Sequence, residues 1–172
     1  MAPPRAFSVV LLTLSLKMAE VEGARWTKTS DGTTMFVTDW FGHFQDANAA
    51  CASEAGDSAS HVVAFRSQQE WDSWMDASLL AAVRRSWVWL SYTDALIEGS
   101  YVGGDGYPMP SFIGWDVGEP DDNYNEDCSH LWAIRGYLAV NDLSCYATLP
   151  ALCRTGACLR CRPYSLSVTA AH

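Results

Sequence analysis

The chain has 172 residues, the length of a single domain that can bury a hydrophobic core. Hydrophobic residues make up 49% of the chain, and 20 acidic against 11 basic residues give a formal net charge of −9. This balance disfavours nucleic acids and anionic membrane surfaces as partners, because both attract basic surfaces. No apolar run reaches the ~18 residues of a membrane-spanning helix, so none is predicted.

The first residues have the pattern of a secretory signal peptide. Arg5 precedes ten largely apolar residues (FSVVLLTLSL, 7–16), which suit a signal-peptide core and are too few to cross a bilayer. Small residues follow this apolar run and fit cleavage after Gly23, and cleavage after Ala24 is the alternative. We therefore predict a signal peptide over residues 1–23 and a secreted, extracellular protein. A buried N-terminal strand or helix is the competing interpretation.

The elements that follow mix helix and strand patterns. Residues 33–41 (TTMFVTDWF) are rich in β-branched and aromatic residues and predict a strand. In residues 43–56 (HFQDANAACASEAG), apolar residues recur at helical spacing, which predicts a first helix that stops at Gly56. Residues 67–70 (SQQE) form a capping box and predict the start of a second helix. Its apolar face comprises Trp71, Trp74, Met75, Leu79 and Ala82. Further strands are predicted at 62–65, 88–92, 131–134 and 148–153.

Residues 93–128 form a long loop, rich in glycine and proline, without a helical period. Such loops are usually functional or disordered, and the aromatic residues of this one argue against disorder. Acidic residues crowd its second half: Asp116, Glu119, Asp121, Asp122, Glu126 and Asp127. No lysine or arginine lies between Arg85 and Arg135, so a hard cation with oxygen ligands, calcium, is one way to offset the charge. A solvated acidic loop is the other interpretation.

The spacing of the cysteines does not determine which of them form disulfides. There are six, which allow about 15 pairings. The last two cysteines, Cys158 and Cys161, form a CxxC pair. No second CxxC and no nearby histidine accompany this pair in the sequence, so a zinc site is not predicted. The six are Cys51, Cys128, Cys145, Cys153, Cys158 and Cys161.

A set of residues and motifs occurs in a characteristic order along residues 33–154: Trp40, Ala47, Cys51, 67–70 (SQQE), 87–90 (WVWL), Thr93, Asp94, Glu98, Gly99, Trp115, 119–121 (EPD), 126–128 (EDC), 140–142 (VND), Cys145 and Cys153. With this set, the sequence resembles a C-type lectin-like domain. The resemblance implies an α+β fold with two helices flanking small antiparallel sheets and a long calcium-binding loop. It gives a domain over residues 24–154 and a short tail over 155–172.

The resemblance also implies two disulfides, Cys51–Cys153 and Cys128–Cys145. Cys158 and Cys161 then fall outside the domain and bridge either each other or a second chain.

A cis bond before Pro120 would turn the flanking carboxylates toward one point.

By resemblance, the function is calcium-dependent binding of mannose- or galactose-type glycans, without catalysis. Calcium would leave coordination positions for two neighbouring sugar hydroxyls. The carboxylates would accept the hydroxyl protons, and the Asn141 amide nitrogen would donate to the sugar. Innate immune recognition of microbial surfaces is a family-level expectation. The ligands of the sugar-site calcium would be Glu119, Asp121, Glu126, Asn141 and Asp142, of which Glu119, Asp121, Glu126 and Asn141 also contact sugar. A supporting calcium would use Asp94, Glu98, Asp122 and Asp127, with Glu126 shared.

The sequence departs from the family pattern at three points. The family's mannose-type loop is EPN and its galactose-type loop is QPD, whereas this loop, 119–121, is EPD, with two acids and no amide donor. Sugar preference is therefore not predicted. Val140 stands where the family has a tryptophan. Trp89 stands where the family usually has a glycine, and we expect its larger side chain to crowd the core locally.

Two other functions compete with sugar binding. Paired carboxylates serve glycosidases, but a glycine-rich polar loop does not provide the dry pocket that raises the pKa of a catalytic acid, so no enzyme is predicted. The alternative within the same fold is a protein-binding or ice-binding domain without sugar binding, because fold alone does not define function. The sequence does not predict the oligomeric state.

Overall fold

The computed structural model describes residues 25–30 and 32–155. Within them, two four-stranded antiparallel sheets pack with short helices, which is the predicted α+β class. The strands are β1 (Trp26–Ser30), β2 (Thr33–Val37), β3 (His61–Val62), β4 (Val88–Thr93), β5 (Val102–Gly103), β6 (Cys128–Ile134), β7 (Tyr137–Leu143) and β8 (Leu152–Arg154). The helices are α1 (Ala47–Ala55), α2 (Gln68–Trp74) and α3 (Ala77–Val83). The predicted signal peptide, Cys158 and Cys161 lie outside the described residues.

The first sheet has the order β1-β2-β8-β3 and carries both ends of the described domain. Helix α1 packs beside it and ends at Gly56, whose φ of 61° is a left-handed conformation that glycine adopts without strain. A disulfide between Cys51 and Cys153 joins α1 to β8 across a sequence separation of 102. This is the first pairing that the resemblance implies.

The second sheet, β5-β4-β6-β7, carries the long loop and places β7 at its edge. A disulfide between Cys128 and Cys145 ties the start of β6 to the segment after β7. The main hydrophobic core lies on one face of this sheet and includes Leu90, Leu131 and Val140. The loop therefore rests on a rigid, well-packed support.

Trp89 is fully buried on the other face of the second sheet. Its ring meets Phe44 edge to face, with 5.6 Å between ring centroids, and its Nε1 donates to the carbonyl oxygen of Gly42 at 3.0 Å. A buried indole needs such an acceptor. The bulky side chain is thus accommodated, with its polar atom satisfied, in the small core that surrounds the Cys51–Cys153 bridge.

The single second helix predicted from the apolar stripe is wrong, because the stripe is divided between α2 and α3. Helix α2 begins as predicted, with Ser67 Oγ accepting the N–H of Glu70 at 3.1 Å. It ends at Trp74, and Asp76 then caps α3 by accepting the N–H groups of Ser78 and Leu79. The carboxylate of Asp76 competes for backbone donors and so starts a new helix instead of continuing the first.

Candidate functional site

Three predicted ligand residues meet beside β7. Glu119 and Asp121 lie in the long loop, on either side of Pro120, and Asp142 lies on β7. One carboxylate oxygen from each falls within 4.8 Å of the others. The peptide bond between Glu119 and Pro120 is cis. The geometry thus gathers three negative groups, from two distant parts of the chain, around one point.

Asp142 is completely buried and holds the loop onto the sheet. Its two oxygens accept the backbone N–H groups of Asp122, at 2.9 Å, and Asp121, at 3.4 Å. Asp122 in turn accepts the N–H of Glu126 at 2.9 Å. Carboxylates of β7 and of the loop itself therefore hold the loop in place by accepting hydrogen bonds from its backbone amides.

The loop also rests on an aromatic support. The hydroxyl of Tyr101 donates to the carbonyl oxygen of Glu126 at 3.1 Å, and its ring contacts Trp115 with 4.7 Å between centroids. Trp115 forms a parallel bridge with Val140 on β7. The small Val140 leaves this packing intact, so the replacement of tryptophan at that position does not dismantle the loop.

The clustered charges raise the pKa values of the loop carboxyls. Burial, followed by the charges of Asp121 and Asp142, raises the pKa of Glu119 to about 7. Burial and the same two neighbours raise the pKa of Glu126 as well. Glu126 adds to the field at Glu119 but is not a member of the 4.8 Å group. A site that resists accumulating negative charge is one that a cation would stabilise.

The four residues expected at a supporting calcium lie close together. Burial raises the pKa of Asp94 and of Asp127. The charge of Asp122 adds to both shifts, and the charge of Asp94 adds to that of Asp127. Desolvation, followed by the charges of Asp94, Asp122 and Asp127, also raises the pKa of Glu98. Within residues 25–30 and 32–155, however, these four do not form a second group as tight as that of Glu119, Asp121 and Asp142.

Asn141 is oriented differently from the sequence expectation. Its amide nitrogen, expected to face sugar, lies 3.2 Å from Nε2 of His130 and also donates to the carbonyl oxygen of Asp142. Its Oδ1 is buried without a hydrogen-bond partner. Burial lowers the pKa of His130 to about 4, so the ring is neutral at physiological pH.

The donor set fits calcium. Three oxygen atoms of the predicted ligands are buried and have no hydrogen-bond partner: Glu119 Oε2, Asp94 Oδ1 and Asn141 Oδ1. Buried polar atoms are normally satisfied, so such orphans call for an explanation. Carboxylate and amide oxygens are the ligands that calcium prefers. These residues could therefore hold a calcium ion.

The sequence analysis missed the residues that surround these ligands. They include His130 and Tyr101, which no sequence motif singles out. The register of β6 and β7 pairs His130 with Asn141, and a correct prediction of β7 would have revealed this. That strand was not predicted.

Comparisons with known proteins agree with the fold. The Lectin C-type domain family model matches residues 42–155, which is more than half of the chain. The chain therefore belongs to the C-type lectin family. This family consists in general of binding proteins without enzymatic activity.

Individual curated relatives match a shorter part of this chain than the family model does. A C-type lectin mannose-binding isoform from Oxyuranus scutellatus is 35% identical over 68 residues, covering 39% of this chain and 42% of that protein. The chain spans about half the length, or less, of the curated relatives it matches.

Solved structures resemble the fold. The mouse scavenger receptor C-type lectin carbohydrate-recognition domain aligns with a TM-score of 0.60 at 23% identity, over 76% of this chain and 94% of that one. A Ca2+-dependent type II antifreeze protein in its Ca2+-free form aligns with a TM-score of 0.60 at 21% identity, over 76% and 97%. Within the described residues, no helix combines the length and apolar character needed to cross a membrane.

Proposed function

We propose that the chain is a secreted lectin that binds mannose- or galactose-type glycans in a calcium-dependent manner. The observation that carries the proposal is the convergence of Glu119, Asp121 and Asp142 within 4.8 Å. Among the described residues, the ion pairs of lysine and arginine involve other carboxylates, so no protein cation neutralises the three.

The proposed ligands of the sugar-site calcium are Glu119, Asp121, Glu126, Asn141 and Asp142. Bound calcium supplies open coordination positions that two neighbouring sugar hydroxyls can fill. The carboxylates of Glu119 and Asp121 accept the hydroxyl protons, and Asp142 keeps the loop against β7. No group in this arrangement attacks a bond, so the ligand is bound and released unchanged.

A supporting calcium is proposed at Asp94, Glu98, Asp122 and Asp127, with Glu126 shared. Asp94 is almost completely buried, and the backbone N–H of Gly99 satisfies only one of its oxygens. Its backbone N–H also donates to the carbonyl oxygen of Asp127 at 3.2 Å. A cation here would fasten the start of the long loop to its end.

The disulfides support secretion as part of the proposal. Both bridges of the described domain suit an oxidising compartment such as the extracellular space. We propose residues 1–23 as the signal peptide and 24–154 as the lectin domain. The mannose-binding relative from a snake supports a glycan as partner.

A protein-binding or ice-binding role is the second candidate. Four apolar side chains of the long loop are highly exposed, with relative exposures of 68–93%: Leu96, Ile97, Val117 and Tyr124. Exposed apolar groups of this kind suit a protein or ice surface. The fold similarity to an antifreeze protein fits this candidate.

A glycan array measured with calcium and again with EDTA tests the proposal. We expect binding to mannose- or galactose-type glycans that EDTA abolishes. Glu119→Ala should eliminate binding, whereas Asp39→Ala, which removes an exposed carboxylate outside the loop, should leave it unchanged. Absence of binding to any glycan in calcium would instead favour the second candidate.

A further inference from the structure

His130 and Asn141 face each other across two strands. They form a directly paired position of β6 and β7, so their side chains lie on the same face of the sheet. Both are buried, and 3.2 Å separates Asn141 Nδ2 from His130 Nε2. A side chain of the neighbouring strand thus contacts a proposed calcium ligand directly.

The carbonyl oxygen of Asp142 determines which way the Asn141 amide points. A backbone carbonyl only accepts hydrogen bonds, so the amide atom beside it is the nitrogen and not the oxygen. The same nitrogen faces His130, so Nε2 of the ring is the acceptor and carries no proton. Both amide hydrogens are then used within the protein, and Oδ1 is left without a partner.

Two tryptophans hold the ring of His130 in place. Trp87 stacks on it with 5.0 Å between centroids and an interplanar angle of 24°. Trp132 meets it edge to face at 5.8 Å, and the two indoles contact each other at 5.6 Å. Trp87 covers the ring from the solvent side, with 42% of its own surface exposed. The imidazole therefore has little freedom to rotate away from Asn141.

We propose that His130 is a positioning residue of the calcium site, which accepts a hydrogen bond from the Asn141 amide and so presents Asn141 Oδ1 as a ligand oxygen. The inference rests on the proposed function. It also defines the ligand more closely. With both Asn141 hydrogens engaged by the protein, Glu119, Asp121 and Asn141 offer only acceptors, so the bound hydroxyls must be donors.

Three variants test this role by calorimetric calcium titration. His130→Phe keeps an aromatic ring for Trp87 to stack on but removes the acceptor, and we expect calcium affinity to fall at least about tenfold, as for other residues that orient metal ligands. His130→Gln offers an acceptor oxygen and should restore most of the affinity. His61→Phe makes the same exchange on β3 of the other sheet and should bind calcium like the wild type.

A second measurement needs no variant. In calcium-free wild-type protein, a scalar coupling between the Asn141 Nδ2 and His130 Nε2 nitrogens would show the hydrogen bond by NMR, and its absence would overturn the inference. Equal calcium affinity of His130→Phe and wild type would overturn the inference alone. A wild-type protein that binds no calcium would overturn the proposed function, and the inference with it.

Discussion

The buried carboxylate of Asp142 accepts the backbone N–H of Asp122, twenty residues earlier in the chain, at 2.9 Å. Asp142 therefore has two tasks, since it belongs to the group of carboxylates and also fixes the loop that supplies the other two. This coupling allows the loop to be organised before any ligand arrives.

The loop should loosen when this anchor is removed. A hydrogen bond to a charged acceptor contributes roughly 1.5–3 kcal/mol, so Asp142→Ala should speed hydrogen exchange at the Asp122 amide by about tenfold or more. Asp142→Asn retains an acceptor oxygen and should show a smaller increase. Exchange mass spectrometry in EDTA would measure both, and an unchanged rate in Asp142→Ala would contradict the assignment.

The stability of the calcium-free protein should depend on pH through Glu119. Burial beside Asp121 and Asp142 raises the pKa of Glu119 from 4.5 to about 7. A raised folded-state pKa means that the protonated carboxyl favours folding. This contribution is fully present below the unfolded pKa of about 4.5 and is lost as pH rises through about 7.

Thermal melts in EDTA across this range would measure the effect. Glu119→Gln, which has no carboxyl to ionise, should show a flatter pH profile than the wild type. Calcium binding should have the opposite dependence and weaken on acidification, because the ligands must be deprotonated. Identical pH profiles for wild type and Glu119→Gln would refute the pKa assignment.

The two disulfides should differ in their contribution to stability. In the chain-entropy model, a bridge that closes about 100 residues contributes ~4.7 kcal/mol and one that closes about 15 residues ~3 kcal/mol. The paired change Cys51→Ala with Cys153→Ala should therefore lower the free energy of unfolding more than Cys128→Ala with Cys145→Ala. Urea titration in EDTA measures both, and the reverse order would count against the entropic account.

Trp89 should be a major determinant of stability. Replacing a buried tryptophan by alanine costs about 3–5 kcal/mol, and here the carbonyl oxygen of Gly42 also loses one of its two donors and keeps only the N–H of Leu149. Trp89→Phe fills most of the space and should cost less. A loss of less than about 1 kcal/mol in the free energy of unfolding of Trp89→Ala, measured by urea titration, would mean that the surrounding core collapses around the gap.

Replacing each of the two acids of the 119–121 loop in turn should change the sugar preference in a different direction. Asp121→Asn or Glu119→Gln each adds an amide donor and removes one negative charge. By resemblance to the family loops, Asp121→Asn should favour mannose-type and Glu119→Gln galactose-type glycans. Competition assays with free mannose and galactose would measure the preference, and the same preference in both variants would contradict this.

The sequence predicted those parts of the molecule that local patterns encode. Helix α1 with its stop at Gly56, the Ser67 cap and the buried strand β4 each follow from spacing or capping within a few residues. The break before α3 was missed because the apolar stripe continues through it. Whether Asp76 joins one helix or caps the next depends on competition for the same backbone donors.

The candidate site was predictable in composition but not in contacts. The ordered motifs around Glu119 and Asp142 identified the acids, because those residues are close to distinctive neighbours in sequence. The orientation of Asn141 depends on the register between β6 and β7 and on a histidine eleven positions earlier. Such a relationship is set by tertiary packing, which no local pattern encodes.

Strands β1 and β8 lie two places apart in one sheet, whereas Asp142 belongs to the other sheet. A tether, tag or fusion joined before Trp26 or after Arg154 would thus leave the domain from a sheet that does not carry the carboxylate loop. We therefore expect that immobilisation on a sensor surface at either position, or attachment of several copies side by side on a scaffold, leaves the loops accessible to a multivalent target.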